Sequence, residues 1–322
     1  MSPNGVKIIY GAAGVALKST EALQETFTVL EKHDVKDLDT AYIYTKSEET
    51  LNKAGAPARF IIHSKAPCFE PGAMSKENVL KGIDETLERL GVSNIETYFL
   101  HAPDPTTPIE KTLSAIDEIY KAGKFKHFGL SNFKTSDVQK IYDIQSSKES
   151  VLPTVFQGNY NAVSRQIEKD LFPLLHKLKI AFYAYSPIAG GFLVKSPEAL
   201  KAGTETGRFD VNGAFGPMYN GLYNKASLLE ALAEWGTIAS AAGISKAALA
   251  YRWIVFHSAL TAANGDGIII GASTTAQLEE TLDALEDGPL EEEVVAKIEG
   301  IWSMVEKDAP LDNYHSYLAV GK

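Results

Sequence analysis

Eight short apolar runs alternate with longer segments of helical periodicity along this chain of 322 residues. Each run is rich in β-branched and aromatic side chains and is closed by Gly, Pro or polar residues, which is typical of buried strands. Strands separated by helices pair in parallel, so both faces of the sheet are covered. The runs are 6–10, 38–41, 60–64, 98–101, 126–130, 154–157, 181–185 and 267–271.

The segments between the runs have the spacing of amphipathic helices. In residues 76–91, the side chains of Val79, Ile83, Leu87 and Leu90 recur on one helical face. One unit carries two consecutive helices, and one helix follows the last unit at the carboxyl end of the chain. These further helices are expected at 228–241, 247–256 and 292–306.

Two sequence signals predict where helices begin. Thr107 precedes Pro108 and Glu110, which favours a threonine cap, a proline in the first turn and a glutamate that reaches back. Thr274 and Gln277 have the spacing of a second capping box.

Eight strand–helix units predict a (β/α)8 TIM barrel formed by a single domain, 1–322. An open doubly wound sheet is the alternative, but no Gly-x-Gly-x-x-Gly follows the first run. The stretch 190–223 is rich in Gly, Phe and Tyr and is expected to form a long irregular lid loop after strand seven.

Charge and composition exclude several classes of protein. Lys and Arg total 31 against 41 Asp and Glu, a net charge of −10, which argues against a nucleic-acid-binding face. The single cysteine, Cys68, excludes a disulfide framework and a Cys-based zinc site. No apolar stretch approaches the roughly 20 residues that span a bilayer, and no secretory signal is evident. The sequence therefore predicts a cytoplasmic protein without a membrane or nucleic-acid partner.

Catalytic side chains of a barrel lie at the carboxyl ends of its strands. Asp39, Lys65 and His101 occupy three consecutive strand ends, and Tyr44 lies in the loop after the second. An ammonium group lowers the pKa of a neighbouring phenol, and a carboxylate holds that ammonium in place. We therefore expect Tyr44 to donate a proton to a carbonyl oxygen that His101 orients.

Each of these residues has a simpler explanation when it is taken alone. Asp39 could cap a turn, Lys65 could be a surface charge or a phosphate contact, and His101 could be a core histidine. Only their placement on neighbouring strand ends favours catalysis.

Proton donation to a carbonyl is half of a reduction, and the hydride must come from a nicotinamide. Asn132 and Gln157 could bind its carboxamide, and Tyr185 could stack on its ring, although both amides could instead satisfy backbone groups. The diphosphate is expected near small residues and the adenosine at the start of a helix. The residues concerned are Ser186, Ile188 and Gly190 for the diphosphate, and Ser273, Gln277 and Glu280 for the adenosine.

The motifs together resemble the aldo-keto reductases, and in particular their aflatoxin aldehyde reductase branch. The stretches that carry this resemblance are 38–44, 64–65, 98–104, 129–133 and 183–188. The resemblance implies NADPH-dependent reduction of aldehydes or ketones, with NADH as a possible substitute. It also implies the same four catalytic residues and adds Ser131 to the nicotinamide site.

The resemblance further implies that Lys195 contacts the cofactor, and that Arg208 and Tyr223 join Tyr44 and His101 around the substrate. Asn220 and Leu222 stand where that branch has arginines, which predicts weak recognition of carboxylated aldehydes. Gly271 and Gln277 stand where many relatives have Lys and Arg, which weakens the expected selectivity for the 2′-phosphate of NADPH.

Two other functions fit parts of the pattern. One is a nicotinamide-binding redox sensor that resembles the β-subunits of potassium channels. The other is a metal-dependent hydrolase that uses His63, His101 and Asp104, although the spacing of these residues is not that of a metal site. A small-molecule carbonyl substrate and a possible homodimer complete the expectations.

Overall fold

The computed structural model describes residues 2–320, without the side chains of residues 317, 319 and 320. Eight parallel strands close into a barrel in chain order, with β1 paired to β8, so the predicted (β/α)8 barrel is confirmed. The strands are β1 Lys7–Gly11, β2 Asp37–Asp39, β3 Ile61–Lys65, β4 Ile95–Leu100, β5 Phe125–Ser131, β6 Pro153–Asn159, β7 Ala181–Tyr185 and β8 Gly267–Ile270.

Helices pack around the barrel, and none within residues 2–320 is long and apolar enough to cross a membrane. Two helices, rather than the single one expected, follow the last barrel helix α11. The helices are α1 Thr20–Lys32, α2 Ser47–Lys53, α3 Lys76–Leu90, α4 Ile109–Lys121, α5 Thr135–Ser147, α6 Ile167–Leu178, α7 Pro197–Ala202, α8 Gly216–Tyr223, α9 Ala226–Ala241, α10 Lys246–Phe256, α11 Thr275–Glu286, α12 Glu292–Val305 and α13 Asn313–Val320.

The two predicted capping boxes have different outcomes. Thr274 and Gln277 form a complete box at the start of α11, as expected. The box predicted at Thr107 is wrong, because Pro108 occupies the cap position of α4 without a side-chain hydrogen bond. Thr107 Oγ1 donates instead to Asp104 Oδ2 at 2.7 Å, so the preceding loop takes the hydroxyl.

The expectation of an irregular loop over 190–223 is also wrong. This segment contains α7, α8 and two 3₁₀ turns. Its aromatic rings pack together: Phe192 stacks on Tyr223 with ring centroids 5.2 Å apart, and Phe209 lies 5.5 Å from Tyr219. Burial of these rings stabilises local helical structure that the glycine content obscured.

The barrel interior is filled by closely packed side chains. Phe99 and Gly129, which pair on adjacent strands, are an example. A Cβ at Gly129 would lie 2.2 Å from Phe99 Cδ1, inside a fully buried layer. Gly129→Ala is therefore expected to lower the free energy of unfolding by about 1–3 kcal/mol through overpacking.

Urea denaturation checks this prediction, with Gly300→Ala as the matched control. Gly300 lies within α12 and a Cβ there would meet no atom within 4 Å. Alanine should stabilise that exposed helical position by about 0.5–1 kcal/mol. Equal effects of the two substitutions would contradict the packing explanation.

Candidate active site

Closure of the barrel brings the carboxyl ends of consecutive strands to one mouth. Asp39 ends β2, Lys65 ends β3 and His101 follows β4. Ser131 ends β5, and Gln157 lies near the end of β6. Strand register places Ser131 beside Gln157, so the predicted catalytic and nicotinamide residues form one polar group.

Lys65 and Asp39 form a buried ion pair at the centre of this group. Lys65 Nζ lies 2.6 Å from Asp39 Oδ2 and donates to Thr40 O at 2.7 Å. Burial lowers the pKa of Lys65, but the charge of Asp39, the nearby Tyr44 and the hydrogen bond to Asp39 together outweigh burial, so the net pKa is raised. The lysine therefore stays charged.

Tyr44 lies against this pair. Lys65 Nζ is 5.2 Å from the centroid of the Tyr44 ring, which is half-buried. The phenol oxygen makes no hydrogen bond to residues 2–320. Burial raises the pKa of Tyr44, and the charge of Lys65 counteracts this only in part, so the net pKa lies above its ordinary value. Lys65 therefore lowers the pKa of Tyr44 as expected, but burial raises that pKa by more.

The ring of His101 completes the group. Its centroid lies 6.0 Å from that of Tyr44, edge to face. Burial and the nearby charge of Lys65 hold the pKa of His101 well below its usual range, so the imidazole is neutral. His101 Nδ1 is buried and has no hydrogen-bond partner among residues 2–320. A neutral imidazole with one N–H can donate to a carbonyl oxygen without giving up a proton.

The side-chain amides of Asn132 and Gln157 already make hydrogen bonds within the protein. Asn132 Nδ2 donates to His101 O at 2.9 Å and to Ser131 Oγ at 3.0 Å, and Asn132 Oδ1 accepts from Tyr185 at 2.8 Å. Gln157 Nε2 donates to Asp39 Oδ1 at 2.9 Å. Gln157 Oε1 accepts no hydrogen bond from residues 2–320, so this oxygen is free to accept one from a carboxamide.

The backbone around the mouth adopts left-handed conformations at several non-glycine residues. Asn132 has φ of 61°, Ser186 55° and Ala189 54°. Such strain persists only where surrounding structure enforces it, and it is typical of binding sites. Gly190 follows at φ of 67°, and a Cβ there would lie 2.1 Å from Tyr219 Cε1. The bend at the predicted diphosphate residues, including half-buried Ile188, therefore requires glycine.

Three predicted residues of the segment 190–223 lie in different environments. Lys195 Nζ pairs with Glu205 Oε2 at 2.7 Å and donates to a backbone carbonyl of the same segment. Arg208 is exposed and donates to the Tyr219 hydroxyl at 3.2 Å. It is close enough to Tyr44 for its charge to lower the pKa of that phenol. Tyr223 has no exposed surface, and its ring stacks on that of Phe192.

The predicted adenosine residues Ser273, Gln277 and Glu280 are exposed, just before and within the first two turns of α11. Gln277 Oε1 accepts from the backbone N–H of Thr274 at 3.4 Å, as part of the capping box, and also from that of Ser273 at 3.2 Å. Lys18, which sequence reasoning missed, donates to Ser273 O at 3.4 Å and brings a positive charge to this helix end. Nothing in the local sequence marked Lys18, because it comes from the loop after β1.

Two aromatic residues beside His101 were also missed. Phe69 is 55% exposed, has φ of 71°, and its ring centroid lies 5.6 Å from that of His101. Tyr314, from α13, stacks on Phe69 at 5.9 Å. Position after a strand end could have indicated Phe69, but no sequence signal connects the carboxyl-terminal helix with the mouth.

The side chains do not support the metal-dependent alternative. His63 Nε2 lies 2.8 Å from Asp37 Oδ1 inside the barrel, whereas Asp104 bonds to the threonines of its own loop. Within residues 2–320, the three-residue group with ligand spacing is instead His33, Asp283 and Glu286. That group lies on α11 and at the end of α1, away from the mouth.

Comparison with known proteins agrees with this geometry. Residues 7–303 match the model of the aldo/keto reductase family. The chain belongs to this family. It is 42% identical to Oxidoreductase sirO of Leptosphaeria maculans over 294 residues, which cover 91% of this chain and 89% of that protein. It is 37% identical to Aflatoxin B1 aldehyde reductase member 2 of Homo sapiens, over 85% of this chain and 80% of that protein. This aldo/keto reductase is therefore an oxidoreductase, and the resemblance seen in its motifs is confirmed.

Proposed function

We propose that this aldo/keto reductase reduces an aldehyde or ketone to an alcohol, with NADPH as the cofactor and Tyr44 as the proton donor. The observation that carries the proposal is the position of the Tyr44 ring, 5.2 Å from the Lys65 Nζ that pairs with Asp39 and edge to face with the neutral imidazole of His101. These groups combine a proton donor, a fixed positive charge and a neutral hydrogen-bond donor.

The residues of the mouth have different roles in the reduction of the carbonyl group. The N–H of His101 and the phenol of Tyr44 both approach the substrate oxygen and fix its position. As negative charge develops on that oxygen, Tyr44 donates its proton. Lys65 stabilises the resulting phenolate, which offsets the burial that raises the pKa of Tyr44. Asp39 keeps Lys65 charged and oriented.

A bound nicotinamide would supply the hydride. Ser131 and Gln157 would hold its carboxamide by hydrogen bonds, and the half-buried ring of Tyr185 would offer a flat face to the nicotinamide. Lys18 supports NADPH over NADH, because its charge at the start of α11 suits a 2′-phosphate. This charge offsets the lack of basic side chains at Gly271 and Gln277.

The walls of the mouth favour uncharged carbonyl substrates. Phe69 and Tyr314 offer a stacked aromatic surface beside His101. Asn220 donates to backbone carbonyls and Leu222 is buried, so neither position offers a cation to a carboxylate. Arg208 lies close to Tyr44, but its guanidinium donates to the Tyr219 hydroxyl at 3.2 Å and lies over that ring, so it is already engaged within the protein.

The test is cofactor oxidation with an uncharged and a carboxylated aldehyde. We expect 4-nitrobenzaldehyde to drive oxidation of NADPH faster than of NADH, and to be preferred over succinic semialdehyde. Absorbance at the nicotinamide band measures the rate, and analysis of the product should show the alcohol. Failure of a broad panel of aldehydes and ketones to oxidise either cofactor would overturn the proposal.

A further inference from the structure

The segment that carries Tyr44, residues 40–48, is closed on itself and fixed to the barrel. Thr40 Oγ1 and Ser47 Oγ lie 2.9 Å apart, and Ser47 Oγ also donates to Ala12 O at 2.9 Å. The position of the phenol therefore depends on how the two flanks of this segment are held. Each flank has one further polar anchor, and both anchors meet at the same residue of α3.

The first anchor is Glu48, a buried carboxylate without a part in the proposed chemistry. Its Oε1 accepts from Ser64 Oγ at 2.7 Å, and its Oε2 lies 3.4 Å from Arg89 Nη1. Ser64 directly precedes Lys65 in β3. Burial of a carboxylate costs free energy that a well-packed apolar side chain would avoid. The contacts of Glu48 therefore indicate that this segment must be held in a defined position.

The second anchor is Tyr42, on the other side of Tyr44. The Arg89 guanidinium lies 4.4 Å above the Tyr42 ring. Tyr42 donates to Glu85 Oε2 at 2.6 Å, and Arg89 Nη2 lies 3.2 Å from the same oxygen. A planar guanidinium can stack flat on a ring while its separate N–H groups reach two carboxylates, whereas a lysine ammonium has a single nitrogen for all of these contacts.

We propose that Arg89, with Tyr42, Glu48 and Glu85, forms a clamp that positions Tyr44 against Lys65. We call these four residues the Arg89 clamp. They are positioning residues, because they hold both flanks of the segment and contact neither the phenol nor Lys65 Nζ. The inference rests on the proposed role of Tyr44 as proton donor.

The expected consequence is a loss of rate rather than of binding. Misplacement of a reacting group by about 1 Å can reduce a rate roughly 100-fold. We expect loss of the clamp to displace Tyr44 by less than this and so to have a smaller effect on the rate. Arg89→Met and Glu48→Gln should each lower the single-turnover rate with saturating NADPH by about tenfold. The dissociation constant of NADPH should change by less than twofold, because its proposed contacts lie on other loops. Arg89→Lys should give an intermediate rate.

Lys81→Met is the matched control. Lys81 pairs with Glu85 Oε1 at 3.6 Å from the same face of α3, but it touches neither Tyr42 nor Glu48. Its loss should leave the rate within twofold of the parent protein. A rate for Arg89→Met and Glu48→Gln that matches Lys81→Met would overturn the clamp, and so would an equal loss of NADPH binding.

A spectroscopic measurement separates failure of the clamp from failure of the proposed function. In protein labelled with ¹³C at the tyrosine ring, Tyr44→Phe identifies the Tyr44 signal. The signal should shift in Arg89→Met and stay in place in Lys81→Met, whether or not the protein reduces any aldehyde. An unshifted signal in Arg89→Met would refute the clamp even if Tyr44 is the acid.

Discussion

Tyr44→Phe is expected to lower kcat for aldehyde reduction by about 10²–10⁴-fold, the usual contribution of a positioned general acid. The phenol hydroxyl makes no hydrogen bond to residues 2–320, so its removal leaves no buried protein group unpaired. The ring that lies against Lys65 is retained. The loss should therefore appear in the chemical step, with an unchanged melting temperature and unchanged NADPH affinity. Steady-state and single-turnover kinetics, together with a fluorescence titration of NADPH, measure these quantities.

Tyr120→Phe provides the control for removal of a tyrosine hydroxyl. Tyr120 is exposed on α4 and packs against Phe125 on the outside of the barrel. Its substitution should leave kcat unchanged. A rate for Tyr44→Phe within a few-fold of the parent protein would exclude Tyr44 as the proton donor and would direct attention to His101.

Lys65→Met is expected to lower both activity and stability. The substitution leaves the Asp39 carboxylate buried without its cation, which costs about 3–5 kcal/mol in comparable pairs. It also removes the charge that stabilises the Tyr44 phenolate, so kcat should fall at least about 100-fold. Urea denaturation and steady-state kinetics measure the two effects separately.

The double variant Asp39→Asn with Lys65→Met separates folding from catalysis. Removal of both charges should restore most of the lost stability, since no unpaired ion remains and an asparagine oxygen can still accept from Gln157. Activity should stay low because the cation is absent. Recovery of activity together with stability would contradict a catalytic role for Lys65.

The pH dependence of stability follows from the same pair. The pKa of Lys65 is raised in the fold, so its contribution is complete at pH values below the pKa of an unfolded lysine, about 10.4. The contribution is lost as pH rises through the higher pKa of the folded state. Lys65→Met should therefore differ most from the parent protein near neutral pH and less in strong alkali.

Periodicity predicted the barrel well, although it misplaced some element boundaries. β4 begins at Ile95, three residues before the predicted run, because Glu96 and Thr97 interrupt the apolar pattern. Thr97 is nevertheless buried, so a polar side chain in this strand does not mark an exposed position. The local pattern reports which residues are apolar, but it does not report which face of a strand is enclosed.

The candidate site, like the fold, was predicted only in part from the sequence. Strand-end position was enough to group Asp39, Lys65 and His101, because closure of a barrel brings those ends together. It could not show that burial outweighs Lys65 in setting the pKa of Tyr44, since desolvation depends on every neighbouring atom. Nor could it connect Tyr42 and Glu48 with a guanidinium on α3.

The amino-acid sequence by itself determined the eight-unit barrel and the identity of the residues at its mouth. These depend on local periodicity and on position relative to each strand. Only the tertiary structure decided that the segment 190–223 folds into helices, that Phe69 meets Tyr314 and that Lys18 reaches α11. Such contacts join residues far apart in the chain, and their energies depend on distances and burial that exist only after folding.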